Sequence, residues 1–137
     1  MKRIFLVDDD LAALESLAAA LSGEFLVATA SDGGSAWRYL KHTDVDIVIT
    51  DLRMPGMSGG VLCEKIRDDV TLASMPVILV SGEYSPPAFV RYDCYLRKPL
   101  NIGQLVAVTR RLLVPDPHRA TGAMQSRAPK SNDGADE

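Results

Sequence analysis

Four short apolar runs in this chain stop abruptly on a polar residue. Ile4 to Val7 ends at Asp8-Asp9-Asp10, Ile47 to Ile49 at Asp51, Val77 to Val80 at Ser81-Gly82, and a short run from Tyr95 at Lys98-Pro99. Continuous runs of this length, rich in Val and Ile, are what strands buried on both faces require, and such strands belong to parallel sheets. Phe25 to Ala30 reads as a further strand. Helical spacing fills the gaps. Leu11, Leu14, Leu17 and Leu21 recur before a stop at Gly23, with Asp10 placed to cap them. A second helix is expected over roughly Ser35 to Lys41, with Trp37 and Leu40 as core residues, and a third around Val61, Leu62 and Ile66. Asn101 opens the last as a cap, with Gln104 as its capping-box partner and Leu105, Val106, Val108, Leu112 and Leu113 on its apolar side. Strand and helix alternating in this way predict an α/β fold, a three-layer, doubly wound, five-stranded parallel sheet.

Size limits what else the chain can be. Its 137 residues suffice for one domain with a real core. From Pro115 the composition turns to Pro, Ala, Ser, Gly and mixed charge, so residues 1–114 are expected to form the domain and 115–137 a disordered tail. The net charge is −3, divided as −1 in that tail and −2 in the body, which leaves no basic surplus for holding nucleic acid through its phosphates. No apolar run reaches the length of a membrane span and no signal peptide is read at the N-terminus. Cys63 and Cys94 lack metal-ligand or disulfide spacing and read as free thiols in a reducing cytoplasm.

In an open parallel sheet the strand endings converge on one edge, where ligands and chemistry sit. Asp8, Asp9 and Asp51 would then repel one another, and either take up protons or bind a cation. Their donors are all oxygen, with no His or Cys, so a hard ion such as Mg²⁺ is the expected guest. A cation beside Lys98 and the Ser81 hydroxyl suits a phosphoryl group, and Asp51 can serve as the nucleophile that forms an acyl phosphate. Each residue also has an ordinary use. Asp51 before Pro55-Gly56 can open a turn, Asp10 can cap a helix, Ser81 can be a turn residue and Tyr95 can simply pack.

The set Asp8-Asp9, Asp51-Leu-Arg-Met-Pro-Gly-Met-Ser-Gly, Ser81 and Lys98-Pro99 resembles the receiver domain of two-component response regulators, in the right order over residues 1 to 114. The resemblance implies a flavodoxin-like strand order 2-1-3-4-5. It implies that Asp51 accepts a phosphoryl group from a sensor histidine kinase or a histidine phosphotransfer protein. Mg²⁺ would be held by Asp9, Asp51 and the backbone carbonyl of Arg53, with help from Asp8. Ser81 and Lys98 would contact the bound phosphoryl group, and Tyr95 would be the switch aromatic. Arg53 and Glu83, two residues beyond Asp51 and Ser81, would flank the site mouth, where pairing between them would limit the entry of water. Such a protein gains and loses its own phosphoryl group rather than turning over a separate substrate. It is expected to be a stand-alone, cytoplasmic monomer or phosphorylation-dependent dimer that meets a downstream protein target, with no direct contact to nucleic acid or membrane.

The resemblance has one gap. Only sixteen residues separate Ser81 from Lys98, fewer than receivers have there by more than one helical turn. The fourth helix is expected to be stunted or replaced by a loop. Two other readings stand beside this one: a small Mg-dependent phosphohydrolase of the haloacid dehalogenase type, built on Asp8-Asp9-Asp10, and a receiver-like scaffold that is never phosphorylated.

Overall fold

Five parallel strands form a single sheet in the computed structural model, which describes residues 1–115. The expected disordered tail, apart from Pro115, lies outside the described residues. The strands are β1 (Arg3–Val7), β2 (Leu26–Ala30), β3 (Ile47–Asp51), β4 (Val77–Ser81) and β5 (Cys94–Arg97), in the order β2-β1-β3-β4-β5. The helices are α1 (Leu11–Leu21), α2 (Gly33–His42), α3 (Gly59–Asp68) and α4 (Ile102–Leu113). Val7 lies opposite Ala30 and Thr50, Asp51 opposite Val80, and Ser81 opposite Arg97. The strand endings that the sequence marks as polar are therefore level along one edge.

Side chains alternate between two cores, as the two-residue period of a strand demands. Phe5, Val7, Val48 and Leu79 meet Ala36 and Leu40 of α2 and Leu62 and Ile66 of α3. Ile4, Leu6, Ile47, Ile49, Ile78 and Val80 meet Leu14 and Leu21 of α1 and Leu105 and Leu112 of α4. β1, β3 and β4, covered on both sides, are buried along nearly their whole length, and this is why their sequences run apolar without alternation. Asp10, Asp32, Ser58 and Asn101 each cap a helix by accepting backbone N–H groups.

The third helix forms where Val61, Leu62 and Ile66 mark it, with Leu62, Cys63 and Ile66 on its inner face and Val61 exposed on its outer side. One residue departs from its expected place. Trp37 packs only partly against the core, with the ammonium groups of Lys41 and Lys65 each 5.3 Å from its ring centre.

Between β4 and β5 the chain forms a loop, not a helix. Its second half is fastened by an arginine that the sequence reading passes over. Arg67 sits on the buried face of α3, four residues after Cys63, and donates to the carbonyls of Arg91 (2.7 Å), Ala73 (3.2 Å) and Met75 (2.6 Å) and to the Asp93 carboxylate (2.7 Å). Asp93 also accepts from the Val77 amide at 2.8 Å, so one carboxylate joins the start of β4 to the approach to β5. Arg91 adds a second fastening through Glu64 and Asp68 of α3. These polar contacts hold the connection where an amphipathic helix would otherwise cover the sheet.

Candidate functional site

The three carboxylates converge at the carboxyl edge. Asp51 is the last residue of β3, Asp8 and Asp9 follow β1, and one oxygen from each lies within 4.8 Å of the others. Asp8 and Asp51 are buried, while Asp9 is exposed. Lys98, the first residue beyond β5, reaches into the group: its Nζ is 3.1 Å from Asp51 Oδ1 and 3.6 Å from Asp8 Oδ2. Burial pushes the Asp51 carboxyl above its ordinary value, and the charges of Asp8 and Asp9 push the same way, against the hydrogen bond and charge of Lys98. Burial works against the Lys98 ammonium, but the hydrogen bond to Asp51 and the two carboxylate charges outweigh it and raise its pKa. The cluster thus carries more negative charge than one lysine neutralises. An all-oxygen set of this kind fits a hard divalent cation.

Asp10 stands apart from the cluster. Its carboxylate accepts from the amides of Ala12 and Ala13 and caps α1, while the Asp10 amide donates to Asp8 at 2.9 Å. The haloacid dehalogenase reading needs the first and third acids of Asp8-Asp9-Asp10 on the same ligand, and the third is committed to the helix.

The segment after Asp51 is fixed by side chains pointing inward at intervals. Leu52 and Met54 are buried, and Arg53 between them is exposed. The Gly59 amide donates to the Leu52 carbonyl at 2.8 Å. A Cβ on Gly59 would lie 2.1 Å from the Asp51 carbonyl oxygen, so only glycine permits α3 to begin this close to the end of β3.

Across the edge, Ser81 is buried at the end of β4, and its Oγ accepts from the Glu83 amide at 3.1 Å, which leaves the hydroxyl proton to donate elsewhere. Tyr95 donates to the Glu83 carbonyl at 2.8 Å and packs partly against the core. Arg53 and Glu83 meet as expected from their positions. The guanidinium donates twice to the carboxylate, at 2.5 and 3.1 Å, and both side chains remain open to solvent. A cleft of about 310 Å³ opens beside Asp51 and Lys98, walled by Leu14, Leu17, Pro99 and Leu100.

Residues 4–110 match the response regulator receiver domain. The chain belongs to this family. Receiver domains are the phosphoacceptor modules of two-component signalling, which removes the hydrolase reading. Among curated relatives, the response regulator Rre1 of Synechocystis is 34% identical over 117 residues, covering 80% of this chain and 51% of Rre1. The response regulator PleD of Caulobacter vibrioides is 40% identical over 81 residues, covering 58% of this chain and 18% of PleD. The chain thus spans about half the length of Rre1 and less of PleD. Among solved structures, a CheY-like receiver domain from Methanospirillum hungatei superposes with a TM-score of 0.76 at 28% identity, covering 82% of this chain and 94% of that one. TrrA of Thermotoga maritima, solved in complex with Mg²⁺-BeF, gives 0.75 at 28% identity, covering 82% and 99%. No helix among the described residues is long and apolar enough to cross a membrane.

Proposed function

We propose that Asp51 is the phosphoacceptor of this receiver. The observation that carries the reading is the placement of Lys98 Nζ 3.1 Å from Asp51 within the Asp8-Asp9-Asp51 cluster, a nucleophilic carboxylate with a fixed counter-charge beside it. In the transfer an Asp51 oxygen attacks phosphorus, the bond from phosphorus to the donor histidine nitrogen breaks with its electron pair returning to that nitrogen, and the imidazole leaves neutral because its other ring nitrogen carries a proton. Asp8, Asp9, Asp51 and the Arg53 carbonyl would hold Mg²⁺, which supplies neutralising charge to the phosphoryl oxygens. The Mg²⁺-BeF complex of TrrA supports that choice of ion. Lys98 pairs with the phosphoryl group and Ser81 donates its hydroxyl proton to it. Tyr95 follows Ser81 inward, since both are bound to Glu83.

The donor is a sensor histidine kinase or histidine phosphotransfer protein, approaching over the cleft between α1 and the Lys98-Pro99 turn. The response is a population shift of the surface formed by the β4–β5 loop, β5 and α4, read by a downstream protein target. The chain works in the cytoplasm, as a monomer or as a dimer formed on phosphorylation.

Intact mass after incubation with acetyl phosphate and Mg²⁺ tests this. One added phosphoryl group is expected on the wild-type chain and none on Asp51→Asn or in EDTA. An adduct retained by Asp51→Asn, or steady phosphate release that depends on Asp8 and not Asp51, overturns the assignment.

A further inference from the structure

We propose that Gly33 is a positioning residue for phosphoryl transfer: it lets the N-terminus of α2 bear directly on Met57, and this contact fixes the loop that presents the Arg53 carbonyl. The inference rests on the roles given above to Asp51 and Arg53.

A Cβ built on Gly33 would lie 2.6 Å from the Met57 carbonyl oxygen and 2.8 Å from Met57 Cβ, closer than real Cβ atoms come to such neighbours. The reason for glycine is spatial. Among the described residues the only glycine with positive φ is Gly56, so Gly33 adopts a backbone open to other residues. Glycine in a helix is also less favourable than alanine. Gly34 is a natural control, because a Cβ there meets nothing nearer than 3.4 Å.

The loop has little freedom to yield elsewhere. Leu52 and Met54 are held in the core, and the first turn of α3 is set against the Asp51 and Leu52 carbonyls. The α2 side is equally firm, with Ala36 and Leu40 buried and the Asp32 carboxylate accepting from the Ser35 amide at 2.7 Å. A methyl group on Gly33 must therefore push the Met57 backbone, and in this proposal the displacement reaches the Arg53 carbonyl by way of Met54, the buried residue between them. Groups that hydrogen-bond a metal ligand are worth roughly 10- to 100-fold in metal affinity, and a contact acting on the ligand's loop is expected to fall near the lower end of that range.

The test is Mg²⁺ binding by calorimetry, without acetyl phosphate, on the wild-type chain, Gly33→Ala and Gly34→Ala, with urea midpoints measured alongside. Gly33→Ala is expected to bind Mg²⁺ about tenfold more weakly or worse. Gly34→Ala should keep the wild-type affinity. If Gly33→Ala shows no cooperative urea transition, Met57→Ala, which loosens the same contact without adding an atom, must show the weakened binding in its place. Equal Mg²⁺ affinity in the wild type and in the folded variant overturns the inference. A wild-type chain that neither binds Mg²⁺ nor gains a phosphoryl group overturns the receiver site itself. One that does both, beside a variant of equal affinity, overturns only the role of Gly33.

Discussion

Tyr95 donates its hydroxyl proton to the Glu83 carbonyl at 2.8 Å, and the amide of the same Glu83 donates to Ser81 Oγ at 3.1 Å. The ends of β4 and β5 are thus bridged through one loop residue, the link by which we propose that a movement of Ser81 toward a phosphoryl group reaches the tyrosine. Tyr95→Phe keeps the ring and removes only the hydrogen bond. It should lower stability by about 1 kcal/mol in urea denaturation, while phosphorylation by acetyl phosphate proceeds at the wild-type rate. Loss of phosphorylation in this variant would place Tyr95 in the chemistry itself and contradict its role as a follower of Ser81.

Arg67 is, among the described residues, the most heavily used polar side chain of the interior, with three carbonyls and one carboxylate as partners. Replacing it by methionine fills similar space but leaves the carbonyls without this donor and the Asp93 carboxylate with only the Val77 amide. Breaking a buried pair from one side costs about 3–5 kcal/mol. Arg67→Met should show that loss in the urea midpoint and should be cut by protease within residues 90–93 faster than the wild type. Wild-type stability in the variant would mean that the loop is held by other means.

How far the sequence disclosed this molecule depended on whether the signal was local. The strand endings at Asp8, Asp51 and Ser81 were legible because a strand buried on both faces must be apolar until it leaves the sheet. The parallel topology then forces those endings together, so the carboxylate cluster follows from fold and sequence alone. Asp10 shows the same logic, since its carboxylate caps α1 as its position before the helix requires. Arg67 and Asp93 were missed because their partnership spans 26 residues and joins two elements whose separation no local pattern records. One hint was present: Arg67 falls four residues after Cys63 on the apolar face of α3, where a charge demands a partner. Gly33 could be read only as helix punctuation, because its close approach to Met57 exists only once α2 and the β3–α3 loop have met.

Asp69 gives the fold a measurable acid dependence. Burial favours its neutral form, but hydrogen bonds from Lys41 and Thr71 outweigh this and hold its pKa at about 2, against about 3.9 for an ordinary aspartate. The folded value is depressed, so the contribution to stability is fully present above about pH 4 and is lost as pH falls toward 2. The Lys41 side chain is 42% exposed, so solvent screens the pair and limits the gain to about 1 kcal/mol. The urea midpoint of Asp69→Asn should lie below that of the wild type at pH 6, and the gap should narrow as pH falls below 4 and close only below about pH 2. A gap unchanged across that range would show that Asp69 acts through shape and not charge.

The Arg53–Glu83 pair joins the segments that follow β3 and β4, and its exposure makes it a poor contributor to stability. Its position gives it a different use. Hydrolysis of an aspartyl phosphate needs a water in line with the bond from phosphorus to Asp51, and we propose that the paired side chains screen that approach on the side of β3 and β4. Removing both should leave the urea midpoint unchanged and shorten the life of the phosphorylated state severalfold. The measurement is the decay of the phosphorylated mass after acetyl phosphate is removed, for the wild type, Arg53→Ala, Glu83→Ala and the double variant. If the two residues act as one barrier, each single change should hasten decay nearly as much as both together, because either one breaks the pair. Additive effects would assign the two side chains separate roles, and unchanged decay in the double variant would remove the pair from control of the phosphoryl lifetime.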